Sequence, residues 1–186
     1  TMTSDSGLIS RVSTGVEGLD TVLNGGFISS RSYMIAGEPG TGKTILGMHF
    51  LLGNPTETSL FVHLEESEST IRQNGSQIGL DLADVEFLDL TPEADRFSEG
   101  ENYPIFAPED AEGGSLRETL VESISEINPD RVFIDSLTAF QHLSGESFDF
   151  RRQITSLFKF FRSQDATVLF TAQQTATTPD DDFRYL

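Results

Sequence analysis

Residues Gly37 to Thr44 read GEPGTGKT, the spacing G-x-x-x-x-G-K-[ST]. The chemistry open to such a stretch is the cradling of a polyphosphate. That task needs many hydrogen-bond donors in a small volume. Backbone N–H groups supply them only where the chain approaches closely, which favours Gly37, Gly40 and Gly42. Glu38, Pro39 and Thr41 complete the loop, and Ile45 follows it directly. A helix starting here would add its unpaired first-turn N–H groups and the positive end of its dipole. On this spacing Lys43 is expected to reach the β- and γ-phosphates and the Thr44 hydroxyl to bind Mg²⁺.

The flanks agree with that reading. SYMIA (residues 32–36) reads as a buried strand and ILGMHFLL (45–52) as a helix. Strand, loop and helix in that order is the context the motif requires. A glycine-rich turn matching by chance would not carry it.

Other candidate residues sit at the ends of apolar runs. RVFID (131–135) closes on Asp135, the place of an acid that holds Mg²⁺ beside a bound nucleotide. Alone, an apolar run ending in Asp is as well explained by a turn or helix cap. SLFVHL (59–64) is followed by Glu65 and Glu66. Hydrolysis of a γ-phosphate needs a positioned water that gives up its proton, and a carboxylate can take it. The competing reading is a solvated acidic turn. TVLFTA (167–172) leads into Gln173 and Gln174, where a polar side chain, Thr171 included, could sense the γ-phosphate or simply end a strand. His49, His63 and His142 stand apart with no metal-ligand spacing, so packing or surface roles are expected. Arg151 and Arg152 fit a solvated helix start or a contact with a neighbouring subunit.

The elements that must position these residues alternate. VEGLDTVL (16–23) reads as a short amphipathic helix stopped by Asn24-Gly25-Gly26. A helix is expected over 67–79, with Ser67 and Thr70 as caps and Ile71 and Ile78 on its apolar face. VEFLDL (85–90) is a strand. Helices follow over 115–127 and 150–162, the second with Phe150, Ile154, Leu157, Phe158 and Phe161 as its stripe. Residues 91–114 are acidic, hold three prolines and lack a period, which marks a long loop of functional or mobile character. Strands alternating with helices imply an α/β fold with a mostly parallel central sheet and helices on both faces. Ligands would then gather at the carboxyl ends of the strands.

Composition narrows the function classes. The 186 residues suit one domain, and zero cysteines exclude disulfides and thiolate metal sites. No run of 18 apolar residues and no cleavable signal is present, so a cytoplasmic protein without a membrane span is expected. Thirty acids against twelve bases give a net charge of −18, and only Lys43 and Lys159 are lysines. The acids are spread along the chain, which favours adaptation to high salt over binding of a basic partner. Nucleic-acid binding, which needs a basic face, is not expected.

Taken together, the chain resembles the KaiC-like ATPases of the RecA superfamily, nearly end to end. RVSTGVEGLDTVLNGGF is similar to the family's opening segment. AGEPGTGKTILGMHFL is similar to its Walker A loop and following helix. LFVHLEESESTIRQNGSQIGLDL is similar to the strand with paired catalytic glutamates and the next helix, and RVFIDSLTAF to the Walker B strand and its Ser/Thr-rich turn. The resemblance implies a RecA-like P-loop NTPase fold. It implies ATP held by Gly37 to Ile45, Mg²⁺ by Thr44 and Asp135, and Glu65, Glu66 and Lys43 as catalytic groups. It further implies a homo-oligomer, a hexameric ring with ATP between subunits, and in some members autophosphorylation and signalling assemblies. The family's domain continues with a β-hairpin and basic residues that reach the neighbour's ATP site. Residues 1–186 are therefore expected to form a single domain lacking those C-terminal strands. The expected function is slow ATP hydrolysis in a regulatory or signalling role in a salt-rich cytoplasm. A DNA-dependent recombinase or motor of the same fold, and a nucleotide-binding scaffold without catalysis, are the alternatives.

Overall fold

The structure is a computed structural model and describes residues 9–90, 116–139 and 147–173. Residues 91–114, His142 and Gln174 lie outside the described residues, as do the side chains of Phe150, Arg151 and Arg152.

The opening segment carries β1 (Arg11–Val12), α1 (Glu17–Val22) and β2 (Phe27–Ile28). β1 and β2 pair antiparallel, a small ribbon that two-residue strands do not announce in sequence. α1 stops as expected: Asn24, Gly25 and Gly26 all have positive φ. It is less amphipathic in fact than in pattern. None of its residues is buried, and Val22 is 76% exposed.

The main sheet is built from β3 (Ser32–Gly37), β4 (Ser59–His63), β5 (Glu86–Asp89), β6 (Arg131–Asp135) and β7 (Thr167–Gln173). Its order is β3-β7-β6-β4-β5, with every pairing parallel. The last strand in sequence thus separates the phosphate-loop strand from the strand ending in Asp135. Among the described residues β3 is an edge strand paired only with β7. That is why SYMIA, expected to be buried, is half-exposed, with Met34 at 37%.

The strand alternation sorts the core into two layers, as a sheet covered on both faces demands. Leu60, Val62, Val132, Ile134, Val168 and Phe170 point to one side, against α4 (Leu116–Ile127) and α5 (Ser147–Ser163). Phe61, Phe133 and Leu169 point to the other, against α2 (Lys43–Leu51) and α3 (Glu68–Gln77). Ile154, Leu157 and Phe161 of the expected α5 stripe are buried. On α3, Ser67 caps the helix by accepting from the Thr70 N–H, and Ile71 is buried. Ile78 departs from expectation: it falls at the C-cap and is half-exposed.

α2 lies across the middle of the sheet, packed on β6, β3, β4 and β7. Gly47 permits this approach. A Cβ there would stand 2.1 Å from the Phe133 ring.

The opening segment is tied to this body by one buried guanidinium. Arg131, the first residue of β6, is 1% exposed and donates to the carbonyls of Ser13 (2.6 Å) and Phe50 (2.7 Å). Glu57 balances its charge at 2.5 Å. Asp20 of α1 accepts from the Ser13 hydroxyl (2.5 Å), the Thr14 N–H and the Thr14 hydroxyl (both 2.7 Å). Burial alone would raise the Asp20 pKa. The hydrogen bonds from Ser13 and Thr14, with the Arg131 charge, outweigh it and hold the carboxyl below its ordinary value.

Candidate functional site

Because all five strands are parallel, their carboxyl ends share one edge of the sheet. The register aligns those ends, with Gly37 beside Gln173 and His63 beside Asp135. Four strand ends therefore converge on a cleft of about 210 Å³. The phosphate loop, Glu65, Glu66, Asp135 and Gln173 all contribute to its lining.

The loop has the conformation its glycines were expected to permit. Gly40 and Gly42 take φ of 79° and 87°, in the left-handed region where a side chain is costly. Gly42 is the N-cap of α2 and, having no side chain, leaves the first helical turn without a side-chain cap. Those donors are what an anion at a helix N-terminus would use. Thr41 braces the turn by donating to the Glu38 carbonyl at 2.8 Å. Lys43 folds back over the loop, its Nζ donating to the carbonyls of Gly37 (2.9 Å) and Glu38 (2.8 Å). The ammonium is thereby held at the loop's open side. Ile45, one residue beyond, is 44% exposed and lines an adjoining groove with Ile78.

The Thr44 hydroxyl donates to Oδ2 of Asp135 at 2.6 Å, joining residues 91 positions apart. The other carboxylate oxygen, Oδ1, accepts from the hydroxyl of Thr171, which is wholly buried. Mg²⁺ ordinarily takes one or two carboxylates together with substrate phosphates and waters, not an all-protein cage. A hydroxyl and a fixed carboxylate beside a phosphate loop fit that need. Among the described residues no group of three or more acids or histidines could hold a metal by itself.

The glutamates diverge. Glu65 Oε2 accepts from the Ser136 hydroxyl at 3.3 Å, and Glu66 Oε2 from the Asn74 amide at 3.4 Å. Both are exposed at the cleft mouth. Each carboxylate is thus steadied by a separate neighbour, one behind Asp135 and one on α3.

Two residues, Thr171 and His63, have roles that the sequence did not assign. Thr171 fell within a stretch expected to end a strand or sense phosphate, but its hydroxyl is spent on Asp135. Among the described residues of that stretch, Gln173 lines the cleft, its N–H held by the Thr138 hydroxyl at 2.8 Å. His63, read as a packing histidine, lies in the cleft lining, 1% exposed, with no hydrogen bond to either ring nitrogen. The available signal was position alone: His63 ends β4, two residues before Glu65.

A larger, shallower hollow of about 610 Å³ lies on the opening segment. Its polar groups, such as Ser13 and Asp20, already bond to one another. No described helix is long and apolar enough to cross a membrane.

The sequence matches known proteins over most of its length. The sequence profile of the ATPase family KaiC matches residues 12–183. A UPF0273 protein of Aeropyrum pernix is 34% identical over 140 residues, covering 70% of this chain and 56% of that protein. The circadian clock oscillator protein KaiC of Prochlorococcus marinus is 32% identical over 170 residues, 89% of this chain and 34% of that one. A UPF0273 protein of Methanocaldococcus jannaschii is 31% identical over 173 residues, 88% of this chain and 70% of its own length. The chain therefore spans about half of the first of these relatives and a third of the clock protein. With a match over nearly its whole length, and with a phosphate loop, an apposed aspartate and paired glutamates at one sheet edge, the chain belongs to the KaiC family of ATPases.

Proposed function

We propose that this chain binds ATP with Mg²⁺ in the strand-end cleft and hydrolyses it slowly, as a regulatory or signalling ATPase working in a homo-oligomeric, hexameric ring. The observation that carries the reading is the Thr44–Asp135 contact at the foot of the phosphate loop. It joins the two groups that a nucleotide-bound Mg²⁺ requires, with Lys43 and both glutamates lining the same cleft.

Each residue has a definite task in this reading. The loop N–H groups and the start of α2 hold the phosphates. Lys43 exchanges its contacts with the loop carbonyls for the β- and γ-phosphate oxygens. Asp135, fixed by Thr171, and Thr44 hold Mg²⁺, which when bound neutralises charge on the phosphates. Glu65 and Glu66 orient the attacking water and accept its proton, a contribution of about 10²–10⁴-fold for a general base.

Light scattering behind size exclusion in molar KCl, with released phosphate assayed on each peak, tests both halves. The expected result is an ATP- and Mg²⁺-dependent hexamer that releases phosphate. In the double variant Glu65→Gln, Glu66→Gln, ATP binding should persist while turnover falls by at least about 100-fold. Undiminished turnover would remove the glutamates from the mechanism. Tight ATP binding by the parent without phosphate release would replace the ATPase by a nucleotide-ordered scaffold.

A further inference from the structure

His63 ends β4 almost wholly buried, yet neither ring nitrogen has a hydrogen-bond partner. The rings of Phe61 and Phe87 meet it edge-on at centroid distances of 6.3 and 5.9 Å. An aliphatic side chain would fill this space without burying two polar atoms, so packing alone does not account for an imidazole here.

Its position does. In register, His63 pairs with Asp135 on one side and Asp89 on the other. Register partners in a parallel sheet share a face, so the imidazole stands between two strand-end carboxylates. It lines the same cleft as Lys43, Thr44 and Glu65. Nδ1 lies 3.7 Å from Oδ1 of Asp89. That is too long for a hydrogen bond but close enough to favour an N–H at Nδ1, which leaves Nε2 as an acceptor.

We propose that His63 is a positioning residue of the nucleotide–metal site: its ring, whose nitrogens present no surface to water as it stands, turns when the cleft fills so that Nε2 accepts a hydrogen bond from an ordered water beside Asp135. The inference rests on the nucleotide reading above. Mg²⁺ keeps several waters when it binds, and their protons need acceptors. Groups just outside the metal's own ligands orient such waters, and their loss typically weakens metal binding 10–100-fold. Asp89 sets the ring.

The test reads the imidazole directly. The chain has three histidines, so ring ¹⁵N signals are resolvable, and the variant His63→Gln assigns the one that matters. Spectra are taken of the protein with EDTA, with ADP and EDTA, and with ADP and Mg²⁺. The His63 ring signals should move only on adding Mg²⁺ to the ADP-loaded protein. In parallel, Mn²⁺ binding to the ADP-loaded protein is followed by electron paramagnetic resonance. His63→Phe should weaken it about tenfold, and His63→Gln, whose amide can still accept, should restore most of the loss. ADP affinity without metal should not change. Ring signals that stay still, with equal Mn²⁺ affinity in the Phe variant, would make His63 a packing residue and overturn the proposal. If the Phe variant does not fold, the parent's ring signals decide. If the parent binds no ADP with Mg²⁺, the nucleotide reading fails and takes this inference with it.

Discussion

At the scale of single residues, Asp135 matters less for its charge than for how that charge is aimed. Its two oxygens are taken by two hydroxyls, from Thr44 at the start of α2 and from Thr171 on the neighbouring strand β7. A carboxylate held at both oxygens cannot rotate away from the loop. Thr171→Val keeps the shape of the side chain and removes the donor. A buried acceptor left without its partner costs about 1–3 kcal/mol. Part of that cost should reappear as a looser aspartate. The expected outcome is a several-fold rise in the Mg²⁺ concentration that half-saturates nucleotide binding, with metal-free nucleotide affinity unaltered and Thr171→Ser behaving as the parent. A Mg²⁺ titration followed by a fluorescent ATP analogue measures it, and an unchanged midpoint in the Val variant would leave Thr171 as mere strand packing. The places of Gly37, Lys43, Thr44, Asp135 and the glutamates at the strand ends were legible in the sequence because they follow from residue type and local spacing. Thr171 and His63 were not, because their meaning depends on which strands adjoin. Nothing local reveals that the last strand slips between β3 and β6, or that β4 lies between β6 and β5.

At the scale of elements, two devices keep the site in register with the sheet. The first is the seat of α2. The helix starts at the phosphate loop, so its height above the sheet sets where the loop stands relative to Asp135. Gly47 fixes that height by leaving room for the Phe133 ring. Gly47→Ala should destabilise the fold by about 1–3 kcal/mol in urea unfolding, in spite of alanine's better helix propensity, and Phe133→Leu should recover part of the loss. A neutral Gly47→Ala would mean that α2 is free to shift. The second device is the clasp of Asp20 and Arg131 on the opening segment. Asp20 has a pKa lowered on folding, so its contribution to stability is present above the unfolded value, about 3.9, and is lost as pH falls through the folded one. Asp20→Asn should therefore lower stability near neutral pH and flatten the decline below about pH 4, as urea midpoints between pH 7 and pH 3 would record. Strands and helices of the main body were readable because each carries its own period. The β1–β2 ribbon, the half-exposed β3 and the Arg131 clasp were not, since each is a contact between segments far apart in the chain. RVFID shows the same charged first residue whether it faces water or is buried against Ser13 and Glu57.

At the scale of the whole molecule, thirty acids against twelve bases must coexist on a chain whose site is itself rich in carboxylates. Self-repulsion of this size opposes compaction, and salt screens it: the Debye length falls from about 10 Å at 0.1 M to about 3 Å at 1 M. Two accounts of the charge diverge here. If the acids adapt the chain to concentrated salt, raising KCl from about 0.1 to about 2 M should lift the melting temperature by about 10 °C, several kcal/mol for a chain of this size. A ring would feel the same effect more sharply, because apposed acidic surfaces must approach closely, so ATP-dependent assembly should fail at low salt before the fold does. If the acids instead meet a basic partner, a short polylysine at low salt should stabilise the chain as well as molar KCl does, and assembly should follow the polycation. Calorimetry in KCl, in polylysine, and in sucrose as an uncharged control separates them. The scarcity of lysine argues for the first outcome. With Lys43 engaged in the phosphate loop, Lys159 is the single lysine left for any other role, which suits a surface kept acidic along its length better than a patch shaped for one partner.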